Sequence, residues 1–339
     1  MKAYNLHNIG DLRFQDVPMP ECGSGWAIVQ VKAAGICSSD VPRVFTKGTY
    51  HFPTIPGHEF SGIVHSVADA KDSNWIGKRV GVFPLIPCRN CQPCKDRHYE
   101  MCEHYDYVGS RRDGAFAQYV AVPVWNLIQI PDNMPFEVAA MLEPLSVALH
   151  AVKFGNVTKT DNVAVIGTGM IGITAGLWAK NMGASHVTVI GRSQDKRSMV
   201  EQCGLNYAIG LNDNDLDSYD FVLEAVGTPD AVQMAINATK RGGRLVLMGN
   251  PSGDIMLKQA IYWKILRKQL RMTGTWNSSY DGTNPSDWTD AVQALSGNQI
   301  DAASLITHRF NQNDLMQGLQ LMKQHKEPYC KVMTLWNQE

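Results

Sequence analysis

Four cysteines, Cys88, Cys91, Cys94 and Cys102, fall within fifteen residues in a C-x2-C-x2-C-x7-C run. That spacing lets one loop wrap four thiolates around a tetrahedral ion at about 2.3 Å, the closed arrangement of a structural zinc site. Disulfides, an iron–sulfur cluster or free thiols are the alternatives. Disulfides would require an oxidising compartment, and the opening Met-Lys-Ala-Tyr-Asn-Leu-His-Asn-Ile-Gly carries no apolar segment of the secretory kind. A nucleic-acid-binding zinc ribbon usually has two C-x2-C pairs in a basic chain. Here 31 Lys and Arg face 32 Asp and Glu, a net charge of -1. No nucleic-acid partner is therefore expected.

A second set of metal-binding types is dispersed. Cys37 and the triplet Gly57-His58-Glu59 offer one soft and two harder ligands, and Glu143 stands in a Leu-Glu-Pro-Leu run. A lone Gly-His-Glu is more often structural. Beside a four-cysteine set and a nucleotide turn it reads as a catalytic metal site, which keeps one position open for water or substrate.

The nucleotide turn is Gly167-x-Gly169-x-x-Gly172, with Met170 and Ile171 inside it. A bare G-x-G-x-x-G is weak, but this one follows the apolar run Val163-Ala-Val-Ile and opens a small-residue helix. Gly167 permits the tight turn, Gly169 the approach of a pyrophosphate and Gly172 close helix–strand packing. At the end of the next strand, NAD-binding folds place Asp or Glu on the adenosine ribose. This chain has Gly191-Arg192-Ser193 instead, with Lys196 and Arg197 following. A guanidinium and a hydroxyl beside a small residue suit a 2′-phosphate, which predicts NADP(H) preference. The alternative has Arg192 stack on adenine, so that NAD(H) binds too. Ala225 and Gly249, after two later strands, complete the expected cofactor contacts.

These residues need scaffolds. A chain of 339 residues is too long for a single core and predicts two domains of ordinary size. Before residue 145, short alternating runs such as Ala27–Ala33, Gly62–Val67 and Arg79–Phe83 predict a β-barrel-like domain. Pro144 to Phe154 reads as a helix bridging two domains. Beyond it, Val163–Ile166, Val187–Ile190, Phe221–Val226, Arg244–Gly249 and Arg271–Trp276 predict buried strands alternating with helices, hence a parallel sheet covered on both faces. The tail is expected to return to the first domain, with a helix from Asn313 to Gln324 between two strands. The expected domains are residues 1–148, with a zinc lobe at 86–103, then 149–298, then the return 299–339. No uninterrupted apolar run reaches membrane-spanning length, so a soluble cytoplasmic protein without a membrane partner is expected.

The whole chain resembles the zinc-containing medium-chain alcohol and polyol dehydrogenases. The resemblance rests on Gly35-Ile-Cys-Ser-Ser-Asp40, Pro56-Gly-His-Glu-Phe-Ser-Gly62, the four-cysteine lobe, Glu143-Pro-Leu-Ser-Val and Val165-Ile-Gly-Thr-Gly-Met-Ile-Gly172. Within that family it is most similar to the sugar-alcohol and polyol-phosphate branch, through Tyr107–Gly114, Lys264–Leu270 and Gly274–Ser279. The resemblance implies an α/β fold, a GroES-like β-barrel catalytic domain plus a doubly wound Rossmann domain. It implies two zinc ions per subunit, one structural and one catalytic. Cys37 and His58 would ligate the catalytic zinc, with Glu143 or Glu59 completing the set. Ser39 would relay a proton, and Asp40 would orient His58. Dimers or tetramers are usual in such families. The missing acid at Gly191 departs from its NAD-dependent members.

The expected substrate is a small polyol or its ketose, free or phosphorylated. Arg111 and Arg112 would clamp a phosphate, or else make surface ion pairs. Tyr50 would line the pocket, or else only pack. Lys264, Arg267 and Lys268 read as a solvated helix face. A secondary-alcohol or diol dehydrogenase is the rival within enzymes, and a non-catalytic nucleotide-binding sensor or structural protein the rival outside them.

Overall fold

The structure, a computed structural model, describes residues 1–336. The chain divides into two compact units: Met1–Glu143 together with the chain from Ser279 onward, and Pro144–Ser278. The return to the first unit thus begins at Ser279, ahead of residue 299. The helix Asp287–Ser296 belongs to it because Trp288 is fully buried there, 5.5 Å from the Phe83 ring.

The first unit is built around one long strand, Trp26–Ile36, rich in Val, Ile and Ala. It pairs antiparallel with Glu59–Val67, Tyr119–Pro123 and Lys331–Leu335. The result is a seven-stranded, mostly antiparallel sheet. Val29, Val31, Phe60, Phe116 and Trp336 fill its core, and each large apolar side chain buried there contributes roughly 1.5–3 kcal/mol. The helix Leu315–Gln324 lies in sequence between the parallel strands Ile306–Asn311 and Lys331–Leu335, and buries Leu315, Leu319 and Met322 in the same core.

The register of these strands assembles chemistry from remote segments. Gly35 pairs with Glu59 on one side and Met333 on the other. Cys37, which follows the central strand, therefore comes level with Lys331 on one side and lies two residues beyond the partner of Glu59 on the other.

The second unit is a six-stranded, wholly parallel sheet. Its spatial order is Asn206–Ile209, His186–Gly191, Asn162–Ile166, Tyr219–Glu224, Thr239–Leu247, Arg271–Gly274. In chain order that is 3-2-1-4-5-6, the doubly wound dinucleotide-binding topology, whose order reverses beside the first strand. Val163, Ala164 and Val165 are fully buried there, as strands covered on both faces require.

Two features depart from the sequence expectations. The edge strand Asn206–Ile209, absent from the expected set, buries only Tyr207 of its four residues. Of Lys264, Arg267 and Lys268, Arg267 is exposed as a solvated face requires, but Lys268 is not. Lys268 is 5 % exposed, donates to the carbonyls of Ile236, Asn237 and Thr239, and pairs with Asp217. Lysine satisfies the unpaired carbonyls where the helix Pro229–Ala238 ends. Among the described residues, no helix is long and apolar enough to cross a membrane.

Candidate metal centres and nucleotide site

The four lobe cysteines gather their sulfurs within 4.8 Å of one another. Cys88 Sγ lies 4.0 Å from Cys94 Sγ and Cys91 Sγ 3.9 Å from Cys102 Sγ. Four bonds of about 2.3 Å in tetrahedral array require sulfur separations of about 3.8 Å, so the donors fit a zinc ion. None of the eight cysteines is in a disulfide. Backbone N–H groups of Asn90 and Cys91 point at Cys88 and lower its thiol to about 6, so the lobe presents one thiolate ready-made. Burial pushes Cys94 up. Arg89 and Arg97 adopt positive φ (62° and 65°), the tight bends by which so short a loop turns back on itself.

The second cluster joins Cys37, His58 and Glu59, whose ligand atoms also lie within 4.8 Å of one another. Glu143, in the first turn of the helix Leu142–Phe154, stands beside this group and accepts a hydrogen bond from Tyr107 Oη at 3.2 Å. His58 Nδ1 lies 3.6 Å from Asp40 Oδ1 and 3.5 Å from Arg43 Nη1. Ser39 Oγ lies 3.2 Å from Cys37 Sγ and accepts from Arg43 Nη1 at 2.8 Å. Arg43 also holds Asp40 at 3.0 Å.

Electrostatics characterise this cluster. Burial raises the Cys37 thiol to about 11, with the Glu59 and Asp40 carboxylates adding to the effect. Burial likewise raises Glu143 to about 8; His58 opposes the shift, and Glu59 and Cys37 reinforce it. The site holds four groups that can carry a negative charge, Cys37, Asp40, Glu59 and Glu143, and two cations, Arg43 and Lys331. Cys37 and Glu143 are thus held protonated by burial and by their acidic neighbours, the repulsion that a bound metal cation would offset.

Lys331 escapes sequence reasoning. It is 2 % exposed, and its ammonium pairs with Glu59 Oε2. Burial alone would lower this lysine, but Glu59 and Cys37 hold it above its usual range. Gly35 makes room for the pair, because a Cβ there would stand 2.5 Å from Glu59 Oε2. The only sequence signal is a lysine opening the otherwise mostly apolar strand Lys331–Leu335.

Arg111 and Arg112 have different surroundings. Arg112 pairs with Asp106 at 3.0 Å and lies over the Trp26 ring. Arg111 is sandwiched between Tyr50 and Tyr105, 4.4 and 4.2 Å from their ring centroids. Its Nε is buried without a partner. Ring contacts continue from Tyr105 to Tyr107 and from Tyr107 to His58, at 6.2 and 5.7 Å. Tyr50 itself is largely exposed.

In the second unit, Gly167 has φ +121°, a conformation other residues resist, and a Cβ on Gly172 would stand 1.9 Å from the Gly167 carbonyl oxygen. A Cβ on Gly169 would meet nothing within 4 Å, which leaves an open approach at the N-terminus of the helix Met170–Asn181. Ala225 and Gly249 follow neighbouring strands. Between them, Glu224 accepts from the N–H groups of Val226 and Gly227, both at 2.8 Å. Lys196 Nζ donates to the Thr168 carbonyl within the turn at 3.2 Å. Arg192 and Ser193 are exposed.

A GroES-like barrel with a buried thiol, imidazole and carboxyl cluster, joined to a doubly wound nucleotide fold, defines a zinc-type dehydrogenase. Residues 23–132 match the alcohol dehydrogenase GroES-like domain and residues 171–297 the zinc-binding dehydrogenase domain. The chain belongs to the zinc-dependent medium-chain dehydrogenase family and is an oxidoreductase of the alcohol and polyol dehydrogenase type. It is 32% identical over 310 residues to galactitol 1-phosphate 5-dehydrogenase of Escherichia coli K12, across 88% of this chain and 90% of that one. The crystal structure of galactitol-1-phosphate dehydrogenase from Escherichia coli has a TM-score of 0.89 and 31% identity, covering 99% of this chain and all of that one. A zinc-binding dehydrogenase from Sinorhizobium meliloti 1021 bound to NADP has a TM-score of 0.88 and 25% identity, covering 98% of each chain.

Proposed function

We propose that this enzyme interconverts a polyol or polyol phosphate and its ketose by hydride transfer to or from NADP(H). It would work with two zinc ions per subunit, as a cytoplasmic homodimer or homotetramer. The observation that carries the reading is the acidic character of the buried cluster. Cys37 and His58 are joined by carboxylates, Glu59 in the ligand group and Glu143 beside it. Carboxylates add harder, negatively charged donors for a metal that must hold a hydroxyl-rich substrate.

Zinc on Cys37, His58 and a carboxylate would supply Lewis acidity to the substrate hydroxyl. NADP(H) seated on the Gly167–Gly172 turn would exchange the hydride. Asp40, 3.6 Å from His58 Nδ1, would orient the ring. Ser39 Oγ, held by Arg43, would take the hydroxyl proton and pass it on. Arg111, whose Nη1 donates to the Tyr105 carbonyl and Nη2 to Tyr50 Oη, would bind a phosphate ester by releasing the exposed Tyr50. Arg112 is already committed to Asp106.

The test is absorbance at 340 nm with NADPH and NADH in parallel, on ketose phosphates and the matching free ketoses, with and without a zinc chelator. Chelator-sensitive oxidation of NADPH, faster with phosphate esters, is the expected result. Preference for NADH would overturn the cofactor assignment. Equal rates on free ketoses would remove the phosphate.

A further inference from the structure

The end of the second parallel strand holds an arrangement that the sequence pattern did not predict. Gly191 closes the strand His186–Gly191, at the position where an acid would bind an unphosphorylated ribose. Its backbone is not left-handed, so its conformation does not demand glycine. Space does. A Cβ on Gly191 would stand 2.1 Å from Tyr207 Oη, 2.8 Å from Tyr207 Cζ and 2.8 Å from Thr168 Cγ2.

Tyr207 cannot easily yield. It is 9 % exposed and sits on the edge strand Asn206–Ile209, which runs parallel to His186–Gly191 with Tyr207 opposite Val189. The Arg197 guanidinium covers its ring at 5.1 Å. Its hydroxyl donates to the Ser193 carbonyl at 2.5 Å. Burial raises the phenol above its ordinary range, so it stays protonated and able to donate. The phenol thus does two things at once: it fills the volume beside Gly191, and it ties down the backbone of the turn that carries Arg192 and Ser193. Ser193 Oγ meanwhile donates to Asp195 at 2.8 Å, so the turn also carries one carboxylate.

We propose that Tyr207 is a specificity-determining residue of the nucleotide site: its phenol occupies the place of a ribose-binding carboxylate and holds the Arg192–Ser193 turn toward a 2′-phosphate. The proposal rests on the NADP(H) reading above. It makes Gly191 and Tyr207 a coupled pair, because an acid can enter only where the phenol has left.

The experiment is calorimetric titration of the full-length enzyme with adenosine 2′,5′-bisphosphate and with 5′-AMP, probes that need no turnover. The proteins are wild type, Gly191→Asp, Tyr207→Ala and the double variant, each with its melting temperature. Wild type is expected to favour the bisphosphate by at least about tenfold, the scale of one good charge-assisted contact. Gly191→Asp alone is expected to melt earlier and to gain no affinity for 5′-AMP. In the double variant, 5′-AMP binding is expected to strengthen about tenfold over Tyr207→Ala. Equal binding of both probes to wild type would overturn the NADP(H) reading itself. Discrimination by wild type, with 5′-AMP binding to Gly191→Asp as tightly as to the double variant, would overturn the role of Tyr207 alone. If Gly191→Asp does not fold, Tyr207→Ala against the double variant decides, and no gain in 5′-AMP affinity there contradicts the proposal.

Discussion

The two cysteine-bearing centres of the first unit are built in opposite ways. The Cys88–Cys102 lobe takes all its donors from one short loop. Its first thiol is held near 6 by local backbone N–H groups, while burial drives Cys94 in the opposite direction. The Cys37 cluster draws on separate segments, and burial holds its thiol near 11 and Glu143 near 8. A lobe assembled by local geometry suits a metal that stays fixed. A buried cluster of acidic donors, assembled by strand register and protonated at Cys37 and Glu143, suits a metal whose coordination can change with substrate. The same element type can thus serve structure or chemistry, depending on whether the donors are near in sequence or only in space.

The comparison can be broken first at Cys37. Cys37→Ser should abolish turnover by at least about a thousandfold, because transition-state charge loses its stabiliser, while protease resistance of the lobe stays intact. Cys94→Ser should do the reverse to the fold, loosening residues 86–103 to limited proteolysis. A lobe that resists cleavage after Cys94→Ser would contradict its metal-dependent build.

The buried pair sharpens the contrast. Lys331→Met leaves Glu59 without its cation, which should cost roughly 3–5 kcal/mol in denaturant unfolding of the metal-free enzyme. Adding Glu59→Gln should recover much of that loss, because the orphaned charge is then gone. No recovery would mean that the lysine matters through packing. A smaller effect is expected at Ser39: Ser39→Ala should lower kcat roughly ten- to a hundredfold with zinc content unchanged. The smallest is at Arg112, whose exposed pair with Asp106 contributes about 0–1 kcal/mol. Arg112→Ala should leave KM for phosphorylated substrates unchanged, whereas Arg111→Ala should raise it.

What the sequence made legible follows the same division. The cysteine lobe and the glycine turn could be read because their donors are contiguous, and spacing alone implies geometry. The barrel and the parallel sheet were visible in their alternating and continuous apolar runs. Lys331 was hidden because its partner Glu59 is 272 residues away and only strand register joins them. Tyr207 was hidden because its four-residue edge strand buries a single side chain and gives no periodicity. Lys268 was misread because helical spacing of cations looks the same whether they face water or another helix's carbonyl ends.

The most direct test of the two-centre account is a zinc count per chain, by elemental analysis, in the wild type and in Cys37→Ser, alongside turnover. The account predicts two ions falling to one as activity disappears. One ion in both proteins, or full activity with one, would contradict it.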